Sequence, residues 1–290
     1  MRRLVVSDDA ATRLGGAVPS PAGAFLLAMI TLPALFWLVM LKRTTGYTAP
    51  EEWLMLNVVR AVHGWVEANL PPVEVLIVAI SALGSGWFVA AAFAVLGLLA
   101  LTRGRRDLAV LLALGTLCFP IEWALKYFTS SDAISVGALI NAMLNVNHIG
   151  LDDIADFPAG HALRATALYG IAAFCVARLG NDHRQGQIAY GVAAVLIVAI
   201  SATRVYLGAH YPMDVLGGWM AGGSLVAILV AVHVLGVDER ARARELAEAA
   251  AGLAPSRRRR VAVPRREPAD AAQSAARQQP VKPPARPVEG

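Results

Sequence analysis

Charge is scarce in this 290-residue chain: Asp, Glu, Lys and Arg together supply 16% of it, against about 25% in a typical soluble domain. Cysteine is scarcer still, with Cys118 and Cys175 the only two. Both fall inside apolar runs. Their number and placement argue against a disulfide framework or a cysteine zinc site, and they read as small buried apolar residues. Lys and Arg are also absent from the whole stretch between Thr129 and Ala159. Apolar residues fill the gap, 57% of the chain in all, and they come in blocks.

Residues 22–41 carry no charge, and 75–102 and 215–237 are longer runs of the same kind. About 20 apolar residues cross the hydrocarbon core of a bilayer. Three further candidates, 108–128, 160–177 and 188–204, carry charges near one end. The expected fold is therefore all-α: a polytopic membrane bundle of six transmembrane helices. The first run is too long for the apolar core of a signal peptide and no small-residue cleavage pattern follows it, so a retained helix is expected. The segment 50–70 places Trp53, Leu54, Leu56, Val59 and Val62 at helical spacing, with Arg60 and Glu67 elsewhere. That pattern predicts a helix lying in the outer interface between spans one and two.

Basic residues collect on the cytoplasmic side of short loops. Here they mark the N-terminus, the loops "TRGRRD" and "RLGNDHRQG", and the C-terminus, which six spans place on one side. The third loop, with Asp132, Asp152, Asp153 and Asp156, falls on the other; only Lys42 and Arg43 in the first loop break the pattern. The expectation is an inner-membrane protein with both termini cytoplasmic and its polar residues gathered on the extracytoplasmic face. The chain divides accordingly into a cytoplasmic N-terminus (1–21), a six-span core (22–237), a charged helical extension (238–254) and a basic tail (255–290). The tail has nine Lys/Arg and three Asp/Glu, a net +6 that exceeds the +5 of the whole chain. Rich in Pro, Ala and Gln, it reads as a disordered solvated segment, with anionic head groups as possible contacts and no nucleic-acid partner expected.

Three polar stretches converge on the outer face. In "PIEWALKYF", Glu122 and Lys126 are spaced for a helical ion pair. In "FPAGH", Gly160 would let an anion approach a helix N-terminus closely, and His161 adds a group that titrates near neutral pH. In "SATRVYLGAHYPMDVLGG", Pro212 can open a helix that puts Asp214 one turn from His210, fixing its tautomer, while Arg204 offers a two-pronged fork for a phosphoryl group.

This order resembles the type 2 phosphatidic acid phosphatase (PAP2) superfamily of integral-membrane lipid phosphate phosphatases, with its K-x6-R-P, P-S-G-H and S-R-x5-H-x3-D motifs. The third motif matches with "TR" for "SR". The first lacks its Arg-Pro, Ala133 and Ile134 standing there, and the second has Ala159 for its serine. The resemblance implies catalytic roles without metal or other cofactor: His210 as nucleophile through a phosphohistidine, Asp214 orienting it, and His161 protonating the leaving group and then activating water. It implies substrate-binding roles for Lys126, Arg204 and the backbone near Gly160. Arg164, one helical turn beyond His161, either replaces the missing arginine or else pairs with Glu122 or faces a polar interior. The implied partners are a lipid phosphate, phosphatidic acid-like or polyprenyl, and membrane lipids, with oligomeric state undetermined. The same fold could instead serve a phosphotransferase, or a silent lipid-phosphate binder. A cation held by His148, Asp152, Asp153, Asp156 and His161 is a further alternative; an acidic solvated loop is the plainer account.

Overall fold

The structure, a computed structural model, describes residues 20–129, 157–180 and 182–250; the acidic third loop, Ala133, Ile134 and the basic tail lie outside them. Residues Met1–Asp238 form one compact unit and Glu239–Gly290 a second. The described part of the second, residues 239–250, is helical.

The described residues of the first unit are helical, without strands. Helix α1 (Pro21–Thr45) starts where Ser20 Oγ accepts from the Gly23 amide at 3.0 Å and Pro21 takes the first position, which needs no amide hydrogen. Its Leu35, Leu38 and Val39 enter the core, and Thr31 Oγ1 lies 2.6 Å from Ser224 Oγ. Next comes α2 (Ala49–Trp53), running through a π-turn (Leu54–Val59) into α3 (Arg60–Asn69). This is the helix expected between the first two spans. Met55 and Val66 point inward, whereas Trp53, Leu56, Val62 and Trp65 are exposed.

The second span departs from the expected continuous run. It is two helices, α4 (Pro71–Ala82) and α5 (Gly86–Thr102), bent by 53°. Gly84 sits at the break, so tightly packed that a Cβ there would lie 2.6 Å from Ile200 Cγ2. The freed carbonyls are not left bare, which would be costly in an apolar surround. Leu83 O accepts from the Tyr169 hydroxyl at 3.1 Å and Gly84 O from Arg164 Nε at 3.2 Å.

Helices α6 (Arg106–Gly115) and α7 (Cys118–Thr129) together give one candidate crossing, followed by α8 (Gly160–Leu179), α9 (His183–Tyr206) and α10 (Pro212–Ala250). Among the described residues, five helices are long and apolar enough to cross a membrane, six with the bent pair counted as one span. Helix α8 has its first six residues, Gly160 to Ala165, all buried, with Thr166 after them half-buried. Its neighbour α10 approaches it backbone to backbone across Gly218 and Gly222, spaced as in small-residue membrane interfaces. A Cβ on Gly222 would lie 2.7 Å from Leu163 O, and one on Gly218 2.7 Å from Ala159 O.

Gly222→Leu therefore overpacks the crossing and is expected to destabilise the protein by about 1–3 kcal/mol, read as a lower midpoint of thermal unfolding in detergent. Gly223→Ala, with nothing within 4 Å of the added carbon, is expected to leave the midpoint unchanged.

Candidate functional site

Among the described residues, the buried charged side chains are Glu122, Lys126, Arg164, Arg204 and Asp214, joined by buried His161 and His210. All seven belong to one cluster. Three cations against two carboxylates leave it net positive with the histidines neutral, a surround suited to an anion.

Helix α7 contributes the first pair. Lys126 Nζ lies 3.4 Å from Glu122 Oε1 one turn back, the spacing expected from the sequence. Thr129 Oγ1 then donates to Phe157 O at 2.7 Å, tying the end of α7 to the start of the second stretch.

The N-terminus of α8 holds the second. Ala159 caps it without a side-chain bond, and its amide donates to Asp214 O at 2.9 Å, so the second and third stretches are joined through backbone. Gly160 was expected to admit a ligand anion. The structure puts an internal one there: a Cβ on Gly160 would collide with the Glu122 carboxylate. Arg164 is fully committed to neighbours, with Nη1 on Glu122 Oε2, Nε on Gly84 O and Nη2 at 3.3 Å from His161 Nδ1. The pairing with Glu122, one of its sequence readings, is present. His161 Nε2 is buried and without a hydrogen-bond partner among the described residues.

The third group closes the cluster. Arg204 lies in the last turn of α9, its carbonyl accepting from the Ala209 and His210 amides at 3.0 and 3.2 Å. Gly208, at φ +70°, allows the chain to turn so sharply. His210 is thereby brought back beneath Arg204, whose Nη1 donates to Ser81 Oγ at 3.0 Å while Nε has no partner among the described residues. Pro212 opens α10, and Asp214 Oδ2 accepts from the Tyr211 amide at 3.0 Å and the Tyr47 hydroxyl at 3.2 Å. The same oxygen lies 3.5 Å from His210 Nδ1. The remaining spaces are bridged electrostatically: Arg204 and Lys126 act on both histidines, and His210 acts on His161. Burial pushes the His210 imidazole below its ordinary value, against the opposing pull of Asp214.

Sequence reasoning missed Ser81, Tyr47 and the Gly84 carbonyl. For two of these a signal existed, since "SALGSG" interrupts an otherwise apolar run. Tyr47 had none, being an ordinary loop tyrosine until the fold stacks it on Tyr211 at 3.6 Å. The described residues hold no group of three or more His, Cys, Asp or Glu placed for a metal.

Residues 139–236 match the family model described as the PAP2 superfamily, a stretch containing His161, Arg164, Arg204, His210 and Asp214. Over 85 residues the chain is 36% identical to phosphatidylglycerophosphatase B of Bacillus subtilis (strain 168), covering 29% of this chain and 39% of that protein. Over 129 residues it is 32% identical to a putative undecaprenyl-diphosphatase, YbjG, of Escherichia coli (strain K12), covering 44% and 58%. The matches thus span less than two thirds of either relative. The crystal structure of a transmembrane PAP2 type phosphatidylglycerolphosphate phosphatase from Bacillus subtilis aligns with a TM-score of 0.49 and 23% identity, over 76% of this chain and 96% of that one.

Proposed function

We propose that this chain, which carries a PAP2 superfamily segment, hydrolyses a lipid phosphate by a two-step transfer through His210. One observation carries the reading: in a buried, net-cationic cluster, each of two histidines has Nδ1 beside a fixed partner, Asp214 for His210 and Arg164 for His161. That arrangement leaves both Nε2 atoms for chemistry. His210 Nε2 attacks phosphorus, helped by the Asp214 carboxylate, which stabilises positive charge as it develops on the ring. His161 supplies the proton to the leaving oxygen and then takes one from water. Arg204 and Lys126 balance the charge on the equatorial oxygens, since phosphoryl transfer depends above all on positioning and electrostatics.

Substrate tails remain in the bilayer while the phosphate enters the cluster from the extracytoplasmic face, opposite the basic loops. The exposed Trp53, Leu56, Val62 and Trp65 suit a helix lying in that outer interface. The names of the two curated relatives suggest a phosphatidylglycerol phosphate and a polyprenyl diphosphate as first substrates, beside phosphatidic acid.

Purified full-length protein is expected to release inorganic phosphate from at least one of these lipids, with the rate unchanged by EDTA. Release from none of them defeats the hydrolase; a rate abolished by EDTA and restored by a divalent cation defeats the metal-free mechanism. In sealed vesicles of known protein orientation, turnover of outer-leaflet substrate by molecules with their basic loops inside tests the face.

A further inference from the structure

Arg164 is buried, reaches into the cluster and, in the chemistry above, neither touches phosphorus nor exchanges a proton. A guanidinium has five N–H donors and no acceptor. Two of its contacts hold it in place: the Glu122 carboxylate, itself beside Lys126, and the Gly84 carbonyl freed by the break in span two. The third, to His161 Nδ1 at 3.3 Å, can form only if that nitrogen offers a lone pair. The proton of the neutral ring then sits on Nε2, the atom that is buried and has no partner among the described residues.

We propose that Arg164, clamped by Glu122 and the Gly84 carbonyl, is a positioning residue that holds His161 as the neutral Nε2–H tautomer. The catalytic consequence rests on the reading above; the tautomer does not. The two histidines carry opposite partners on the same nitrogen. A carboxylate on Nδ1 favours a ring that gains positive charge, which suits a nucleophile. A guanidinium on Nδ1 opposes the imidazolium, which keeps His161 a proton donor of neutral charge, a role neutral imidazole fills in other enzymes. As the His210 Nε2–phosphorus bond forms and the bond to the leaving oxygen breaks, the His161 Nε2 proton passes to that oxygen. The negative charge left on the ring faces the Arg164 cation. In the second half a water oxygen bonds phosphorus, the phosphorus–nitrogen bond breaks, and a water proton returns to Nε2. Arg164 neither gives nor takes a proton.

The groups facing His161 are Arg164 on its own helix, Glu122 and Lys126 from α7, Arg204 from α9 and His210 from the loop before α10. Glu122 is engaged by Arg164 and Lys126, so among the described residues no carboxylate competes for the His161 ring.

The experiment is nitrogen-15 NMR of full-length protein labelled at histidine, with His161 assigned by difference from His161→Gln. His161 is expected to show an unprotonated Nδ1 and a protonated Nε2 throughout about pH 5 to 8, the range in which an ordinary histidine titrates. Arg164→Lys, which retains a donor-only cation, is expected to keep that signature. Arg164→Met combined with Glu122→Gln, which removes one charge of each sign, is expected to let the ring exchange tautomers and titrate. In the same double variant kcat should fall on the order of 10²-fold and a basic limb should appear in kcat/KM as the imidazolium is lost. A protonated Nδ1 or ordinary titration of His161 in the wild type overturns the proposal, as does an unchanged signature in a folded double variant. If the double variant does not fold, the wild-type signature decides alone. Wild-type protein that shows the signature but turns over no lipid phosphate refutes the hydrolase while leaving the positioning role standing.

Discussion

His210→Ala is expected to lower phosphate release on the order of 10⁴-fold or more, since loss of a nucleophile alone removes nearly everything that the catalytic group as a whole supplies. The protein should survive the change. The turn that places His210 is closed by its backbone amide on Arg204 O, and Asp214 Oδ2 keeps the Tyr211 amide and the Tyr47 hydroxyl without the imidazole. Truncation therefore removes one side chain from a frame that other bonds hold. Rapid quench of wild type with radiolabelled lipid phosphate should trap an acid-labile phosphoprotein, which His210→Ala and His210→Gln should both lack. Label that persists in both variants would exclude this residue as the nucleophile. His161→Gln separates the two imidazoles: it should still form the phosphoprotein from a diphosphate, whose leaving group needs no proton, yet hydrolyse it slowly.

Asp214→Asn carries the second large effect. An opposite charge within about 4–6 Å favours the charged form by about 10- to 1000-fold, so losing the carboxylate charge 3.5 Å from His210 Nδ1 should cost on the order of 10- to 100-fold in kcat. The amide oxygen can still accept from Tyr211 and Tyr47, so the thermal midpoint should move little. The pH profile gives the sharper reading. The nucleophile must be neutral, and kcat/KM reports the free enzyme. Burial, with Arg204 and Lys126, already holds His210 below its usual value, while Asp214 raises it. The acid limb attributable to His210 should therefore lie below about pH 6.5, the ordinary histidine value. Removing the raising influence should move it lower still. Ionisation of the substrate phosphate is common to both proteins and cannot produce the difference. An acid limb that moves upward in Asp214→Asn would mean that the carboxylate acts on another group.

Part of this site was legible before any coordinate. Arg204, His210 and Asp214 lie within eleven residues, and the turn between them uses local means: Gly208 at positive φ, and Pro212 at the first position of α10. Glu122 and Lys126 were likewise a one-turn pair readable from their spacing. Arg164 was not. Its sequence neighbours allow either a phosphate contact or an ion pair, and the choice depends on Glu122, which lies 42 residues earlier on another helix. The broken second span was also overlooked. Hydropathy counts apolar residues across Gly84 without registering that two carbonyls lose their helical partners there.

The amino-acid sequence by itself determined the solvent this protein folds in, the rough position of each crossing and the local geometry of the third stretch. Those properties follow from apolar length, charge placement and residues a few positions apart, which interact in any helical fold. Only the tertiary structure decided which nitrogen of each histidine is held, that Glu122 fills the space beside Gly160, and that Ser81 and Tyr47 brace the charged residues. Those contacts join residues distant in sequence, and a buried charge takes whichever partner the packing brings within hydrogen-bond reach, because leaving it unpaired costs more than any local preference.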